Sequence, residues 1–153
     1  MTKSGEAEPA PTTEASRPAA PDLAALVADA RTVRERSHVP YSGFRAGAAV
    51  LTDDGDTAVG VIVENVSLGL AMCAERVALF STVAAGARPR ALALVAPSTA
   101  GELTWPCGAC LQVALELGGE ELVVAAAGTD PSSEPVTSTV AELLPKGPSR
   151  RRG

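Results

Sequence analysis

The sequence has few aromatics: two Phe, one Tyr and one Trp among 153 residues, or 3%. Aliphatic side chains and alanine must therefore fill the core, and a hydrophobic content of 46% supplies them. So few rings also leave little for a nucleic-acid strand to stack on. A net charge of −5 opposes a long phosphate backbone as well, so no nucleic-acid partner is expected. No apolar run approaches the ~20 residues needed to cross a membrane, and no membrane partner is expected. Residues 1–21 lack an apolar segment of the secretory kind. There is no internal repeat. The single histidine, His38, lies in a turn-rich stretch and reads as a loop residue rather than a ligand.

Cysteine is scarce too, but its placement is informative. The three cysteines fall in two short stretches, Met72-Cys73-Ala74-Glu75-Arg76 and Pro106-Cys107-Gly108-Ala109-Cys110. An odd number claimed by one site suits a reducing compartment, so a cytoplasmic location is expected. Three thiolates fill three corners of a tetrahedron around Zn²⁺ and leave the fourth open to water, the mark of a catalytic rather than a structural site. Cys107 and Cys110 are three apart and share one face of a helical first turn. Cys73 is expected to open another helix, with Val77, Phe80 and Ala84 following it as one stripe. A helix N-terminus favours thiolate over thiol.

Glu75, two residues after Cys73, is wrongly spaced for a second ligand on that face. It can still reach a zinc-held water and shuttle its proton to a ring nitrogen and a leaving amine; the plainer reading is a glutamate favoured by the helix dipole. Three thiolates and a dication leave one net negative charge, which something positive should offset. Arg76 is the nearest fixed cation and reads either as a donor to cysteine sulfur or as a residue on a solvated helix face. Other readings of the cysteines fit less well. A redox pair leaves Cys73 unexplained. A structural zinc site wants a fourth protein ligand. Buried, unreactive cysteines are common, but they need no such order and spacing.

Along the chain, residues 1–21 read as a disordered Pro/Ala/Glu/Thr-rich tail. Asp22 reads as the N-cap of a helix carrying Leu23, Leu26, Val27, Ala30 and Val33. Residues 46–52 and 57–63 form a predicted hairpin around Asp53-Asp54-Gly55-Asp56. A helix is expected at about 72–85, an apolar strand at 91–96, a loop at 98–105, a helix at 107–117 and a buried strand at 122–127. A last edge strand over 136–139 and a short helix over 140–144 precede Pro145. Residues 146–153 read as a basic tail, which leaves 22–145 as the one folded domain. The order α-β-β-α-β-α-β-β-α implies an α/β fold, a mixed sheet between helices with both cysteine helices on one face.

C-x-E followed by P-C-x-x-C is the three-cysteine form of a zinc deaminase signature. With Val39-Pro40-Tyr41-Ser42-Gly43-Phe44, Gly47-Ala48-Ala49, Glu64-Asn65 and Cys110-Leu111-Gln112-Val113, the chain resembles the cytidine deaminases of the short, three-cysteine, homotetrameric kind. The resemblance covers about residues 22–145. It implies a three-layer α-β-α fold with a mixed five-stranded sheet. It also implies zinc on Cys73, Cys107 and Cys110, and Glu75 as the proton shuttle. Hydroxide would attack C4 of a cytosine nucleoside, cytidine or deoxycytidine, and ammonia would leave. Phe44 would pack on the base, the Ala74 N–H would hold it, Glu64 would bind a ribose hydroxyl and Arg76 would donate to sulfur. Departures fall in the sugar-binding positions. Ile62 stands where the family usually has Asn, Leu68 where Tyr is frequent and Leu111 where Arg is frequent, and no Phe follows Leu143-Leu144-Pro145. Ile62 cannot donate or accept, so a buried hydroxyl there would lose a partner, at a cost of about 1–3 kcal/mol. Two alternatives follow: a deaminase of a modified aminopyrimidine nucleoside such as blasticidin S, and a zinc-binding oligomer without turnover.

Overall fold

A computed structural model describes residues 19–149. Most of the expected N-terminal tail and the Arg150-Arg151-Arg152 end lie outside the described residues. Helix α1 (Leu23–Arg34) starts where Asp22 accepts a hydrogen bond from the Ala25 N–H at 3.0 Å. The other elements are β1 (Gly47–Thr52), β2 (Thr57–Val61), α2 (Ala74–Ala84), β3 (Pro89–Val95), α3 (Gly108–Gly118), β4 (Val123–Ala127), β5 (Val136–Thr139) and a one-turn α4 (Val140–Leu143). A 3₁₀ turn over Leu68–Leu70 was not expected from the sequence.

The five strands form one sheet in the order β2-β1-β3-β4-β5. Only β3 and β4 are parallel, joined by the crossover through α3; the other neighbours are antiparallel. The architecture is the expected mixed sheet in three layers.

Period-2 alternation splits the core into two halves. On β3, Ala91, Ala93 and Val95 face α1, where they meet Leu26, Val27 and Ala30. Leu92 and Leu94 face the opposite way, into a cluster with Leu79 of α2, Ala114 and Leu115 of α3 and Val140 of α4. The α1 face is thus built from alanine. The face under the cysteine helices carries the leucines. Small residues let α1 lie close to the sheet, so scarce aromatics cost little packing.

Several boundaries move, for local reasons. Strand β2 ends at Val61 rather than 63. Beyond it the chain is stapled on both sides: Val63 and Met72 exchange two backbone hydrogen bonds of 2.9 Å, and the Glu64 N–H donates to the His38 carbonyl at 2.8 Å. Helix α2 begins at Ala74 because Cys73 is extended, at φ −71° and ψ 150°, and α3 begins at Gly108 because Cys107 is likewise extended. The stripe of Val77, Phe80 and Ala84 marks the helix, but it is not the buried face. Phe80 is 47% exposed and Ala84 is exposed, while Ala74, Glu75, Ala78, Leu79 and Thr82 are buried. This helix is apolar on several sides, and sheet packing, not periodicity, selects the inward one. At the C-terminal end, the Pro148 carbonyl accepts from Gln112 of α3 at 2.9 Å.

Two glycines set the layer spacing. A Cβ on Gly47 would lie 2.2 Å from the Ala30 carbonyl oxygen, and one on Gly60 would lie 2.3 Å from that of Ala74. Gly60 therefore decides how close the N-terminal turn of α2 comes to the sheet. Gly60→Ala should destabilise the fold by about 1–3 kcal/mol through overpacking, read as a lowered urea midpoint at unchanged slope. Gly69→Ala, with nothing within 4 Å of its Cβ position, should stay within about 0.5 kcal/mol of the parent. Equal midpoints for the two variants would refute this account of Gly60.

Candidate active site

The first turns of α2 and α3 meet over the leucine face of the sheet. Cys73 occupies the N-cap of α2, Cys107 that of α3, and Cys110 lies one turn into α3. Their sulfurs stand 3.9 Å apart for Cys73 and Cys107 and 3.4 Å apart for Cys107 and Cys110, and all three lie within 4.8 Å of one another. A tetrahedron with Zn–S bonds of about 2.3 Å puts its sulfurs about 3.8 Å apart. The trio therefore fits zinc without rearrangement, and none of the three is in a disulfide. Cys110 is buried, Cys73 is partly buried and Cys107 is exposed, which leaves one side of the cluster open.

Arg76 settles between its two readings by geometry. Its Nη2 donates to the Cys73 sulfur at 3.3 Å. Its Nε is buried and, among the described residues, has no hydrogen-bond partner. A guanidinium aimed at sulfur is not a solvated surface residue. The Cys73 thiol is pushed down to about 5, first by the Cys110 thiol donating to it; desolvation opposes this and Arg76 reinforces it. Cys110, holding the shared proton and buried, is pushed up, and Arg76 is pushed further up by the Cys73 thiolate.

Glu75 is 4% exposed, a rare state for a carboxylate. Desolvation pushes its carboxyl up to about 7; its own backbone N–H partly offsets this, and the nearby Cys73 charge adds to it. It borders a cavity of about 140 Å³, together with Cys73, Ala74 and Cys107. The rest of the wall is mostly apolar: Phe44, Ala46, Ile62, Leu94, Ala96 and Trp105, with Thr104 as a further polar residue. A larger groove, about 470 Å³ beside Gln112 and Pro148, has no thiol and no buried carboxylate.

Of the residues singled out in the sequence, Phe44, Ile62, Cys73, Ala74, Glu75 and Cys107 share the cavity, with Cys110 and Arg76 directly behind it. Glu64 is not in the cavity wall. Its carboxylate accepts from the Tyr41 N–H at 3.0 Å, the Ser42 N–H at 3.3 Å and, closely, the Ser42 hydroxyl. These contacts hold its carboxyl below the usual range, the Ser42 hydroxyl first. Ser42 Oγ in turn accepts from the Phe44 N–H at 3.0 Å, so Glu64 braces the loop that presents Phe44. Trp105 and Thr104 were missed in the sequence, where they read as loop. The available signal was the only tryptophan of the chain standing directly before Pro106-Cys107.

A three-thiol cluster with an open side, a buried carboxylate beside it and a small apolar cavity define the class: a zinc hydrolase of the deaminase kind. Residues 21–126 match the family described as the cytidine and deoxycytidylate deaminase zinc-binding region, and the chain belongs to that family. It is 41% identical over 125 residues to a cytidine deaminase from Sporosarcina psychrophila, covering 81% of this chain and 89% of that one. It is 40% identical over 124 residues to one from Halalkalibacterium halodurans, covering 81% and 92%. Among solved structures, the cytidine deaminase of Burkholderia pseudomallei superposes with a TM-score of 0.73 at 42% identity, covering 80% of this chain and 96% of that one.

Arg76→Ala should lower zinc affinity about 10–100-fold, as loss of a group that hydrogen-bonds a metal ligand typically does. Competition with a chromophoric chelator measures this. Unchanged affinity would make the Arg76 contact with Cys73 incidental.

Proposed function

We propose that this chain hydrolyses cytidine or deoxycytidine to uridine or deoxyuridine and ammonia. The observation that carries the proposal is the buried Glu75 carboxyl sharing one small cavity with Cys73 and Cys107. In this reading Cys73, Cys107 and Cys110 hold Zn²⁺. Bound zinc would supply Lewis acidity, lowering the pKa of a water in the open fourth position. Glu75 takes a proton from the attacking water and returns protons to the ring nitrogen and the leaving amine. Oxygen adds at C4, the C4–N bond breaks, and the amine departs as ammonia. Phe44 packs on the base and Ile62 helps exclude water. The Ala74 N–H, in the first turn of α2 and so without an intrahelical partner, binds the base. Glu64 binds a ribose hydroxyl, while Ile62 offers the sugar no hydrogen bond.

The catalytic unit is residues 22–145. Free thiols fit a cytoplasmic enzyme, and the product class fits pyrimidine salvage. The relatives give no support to a modified-nucleoside substrate or to an idle zinc protein. A homotetramer is supported by apolar side chains facing outward: Phe80 and Val83 on α2 and Val66, Leu68 and Leu70 in the segment before it. Among the described residues no helix is long and apolar enough to cross a membrane.

Glu75→Gln should reduce uridine formation from cytidine about 10²–10⁴-fold, the range typical of a general acid–base group, with zinc content unchanged. Activity surviving that substitution would sink the proposed role. Sedimentation equilibrium should give four times the 15.4 kDa chain mass; a single-chain mass would rule out the tetramer.

A further inference from the structure

Trp105 is the only tryptophan of the chain, and it lies in the wall of the cavity that contains Glu75. Its position is built by the segment before it. Thr99 and Glu102 exchange two backbone hydrogen bonds of 2.9 Å, closing a two-residue turn. The turn residues Ala100 and Gly101 have φ of 52° and 81°. Both are left-handed, the hairpin geometry that matches strand twist and splays the arms least. Ala100 holds that conformation without the freedom of glycine. Below the turn, the Thr104 hydroxyl donates to the Pro97 carbonyl at 2.6 Å and stands 2.7 Å from the Thr99 hydroxyl oxygen. The arms are therefore tied just before Trp105. Pro106 follows, buried and with φ locked by its ring. A residue before proline is itself confined to extended backbone. The backbone that carries the indole is thus held from both sides, by a clasped hairpin and by the proline that precedes Cys107.

The cavity this wall closes is small, about 140 Å³. If the proposed reaction holds, C4 of the base must face Glu75 and the thiol cluster. The ring atoms beside C4 are N3 and C5. N3 receives a proton and so lies toward the Glu75 carboxyl. C5 then lies away from Glu75, and Trp105, the largest side chain lining the cavity, stands two residues before Cys107. Truncation of an indole on a held backbone would open space at C5, whereas a flexible segment would simply move aside.

We propose that Trp105, clasped by the 97–104 hairpin, is a specificity-determining residue that restricts the base to a pyrimidine unsubstituted at C5. The proposal rests on the cytosine-nucleoside reading of the site. An apolar pocket separates ligands that differ by one methyl group by about 10–200-fold.

The test compares kcat/KM for cytidine and 5-methylcytidine in zinc-loaded wild type, Trp105→Phe and Trp105→Ala. Wild type should favour cytidine. Trp105→Ala should move the ratio toward 5-methylcytidine by tenfold or more, with Trp105→Phe in between. A ratio unchanged across the three overturns the proposal. Zinc content checks the variants, and if Trp105→Ala loses zinc, Trp105→Phe and the wild-type emission decide. As the sole tryptophan, Trp105 reports the cavity directly: saturable quenching by uridine, weaker for 5-methyluridine by tenfold or more, is expected. Equal affinities, or no response to either, overturn the proposal. These titrations need no turnover, so loss of cytidine deamination with a discriminating Trp105 signal would refute the proposed reaction and leave the wall assignment standing.

Discussion

Everything in this fold serves to hold two helix N-termini together. The Cys73 and Cys107 sulfurs stand 3.9 Å apart although 34 residues separate them in sequence. Helix α2 reaches that point because Gly60 lets its first turn sit on β2. Helix α3 reaches it because the parallel β3–β4 pair requires a crossover, and the crossover begins at Cys107. Both cysteines are extended N-cap residues, so the chain enters each helix at its sulfur. The positive ends of two helix dipoles therefore point at one place. Such a field favours thiolate over thiol.

The two faces of the sheet divide the work that aromatics would otherwise do. Alanines at 49, 91, 93, 125 and 127 let α1 pack closely on one side. Leucines at 79, 92, 94 and 115 give bulk on the other, beneath the site. Two of the four rings, Phe44 and Trp105, line the cavity. A ring in the wall has a shape that an aliphatic side chain does not hold, and it loses little rotamer freedom on being fixed. The loop bearing Phe44 is braced by Glu64 through Ser42, and the one bearing Trp105 by Thr104 on Pro97. Both walls are loops, and each carries its own polar strut.

Much of this was legible before the structure. The strands of the sheet, the Asp22 cap and the crossover order follow from periodicity and from turn residues. The cysteine cluster was legible because its spacing is rare and each of its members has a defined chemical use. Three things were not. The inward face of α2 was one, because the helix offers more than one apolar stripe and the true inward face includes Glu75, a residue no hydrophobic pattern would choose. The bracing role of Glu64 was another, because its contacts with the Tyr41 and Ser42 N–H groups form beside the Val63–Met72 staple and are invisible along the chain. Trp105 lies in a loop, where no period marks an inward side chain. Loop walls are set by turn geometry such as φ 52° at Ala100, which no residue type announces.

Charge closes the argument. Three thiolates around a dication would leave one negative charge, and the proposed reaction requires Glu75 to ionise beside it while 4% exposed. Without compensation both would be held protonated. The helix ends supply partial positive charge, but they act on the cap positions and fade within one turn. Arg76 supplies a full charge at 3.3 Å from the Cys73 sulfur. It lies on the next residue after Glu75, so one helical turn carries ligand, carboxylate and counter-charge in the order Cys73, Glu75, Arg76. Its buried Nε, without a hydrogen-bond partner among the described residues, would be costly in an apolar setting. Next to an anionic sulfur cluster, the charge it belongs to is offset. A lysine could match the charge but not the fixed planar set of donors, and this is the physical reason for a guanidinium in this position.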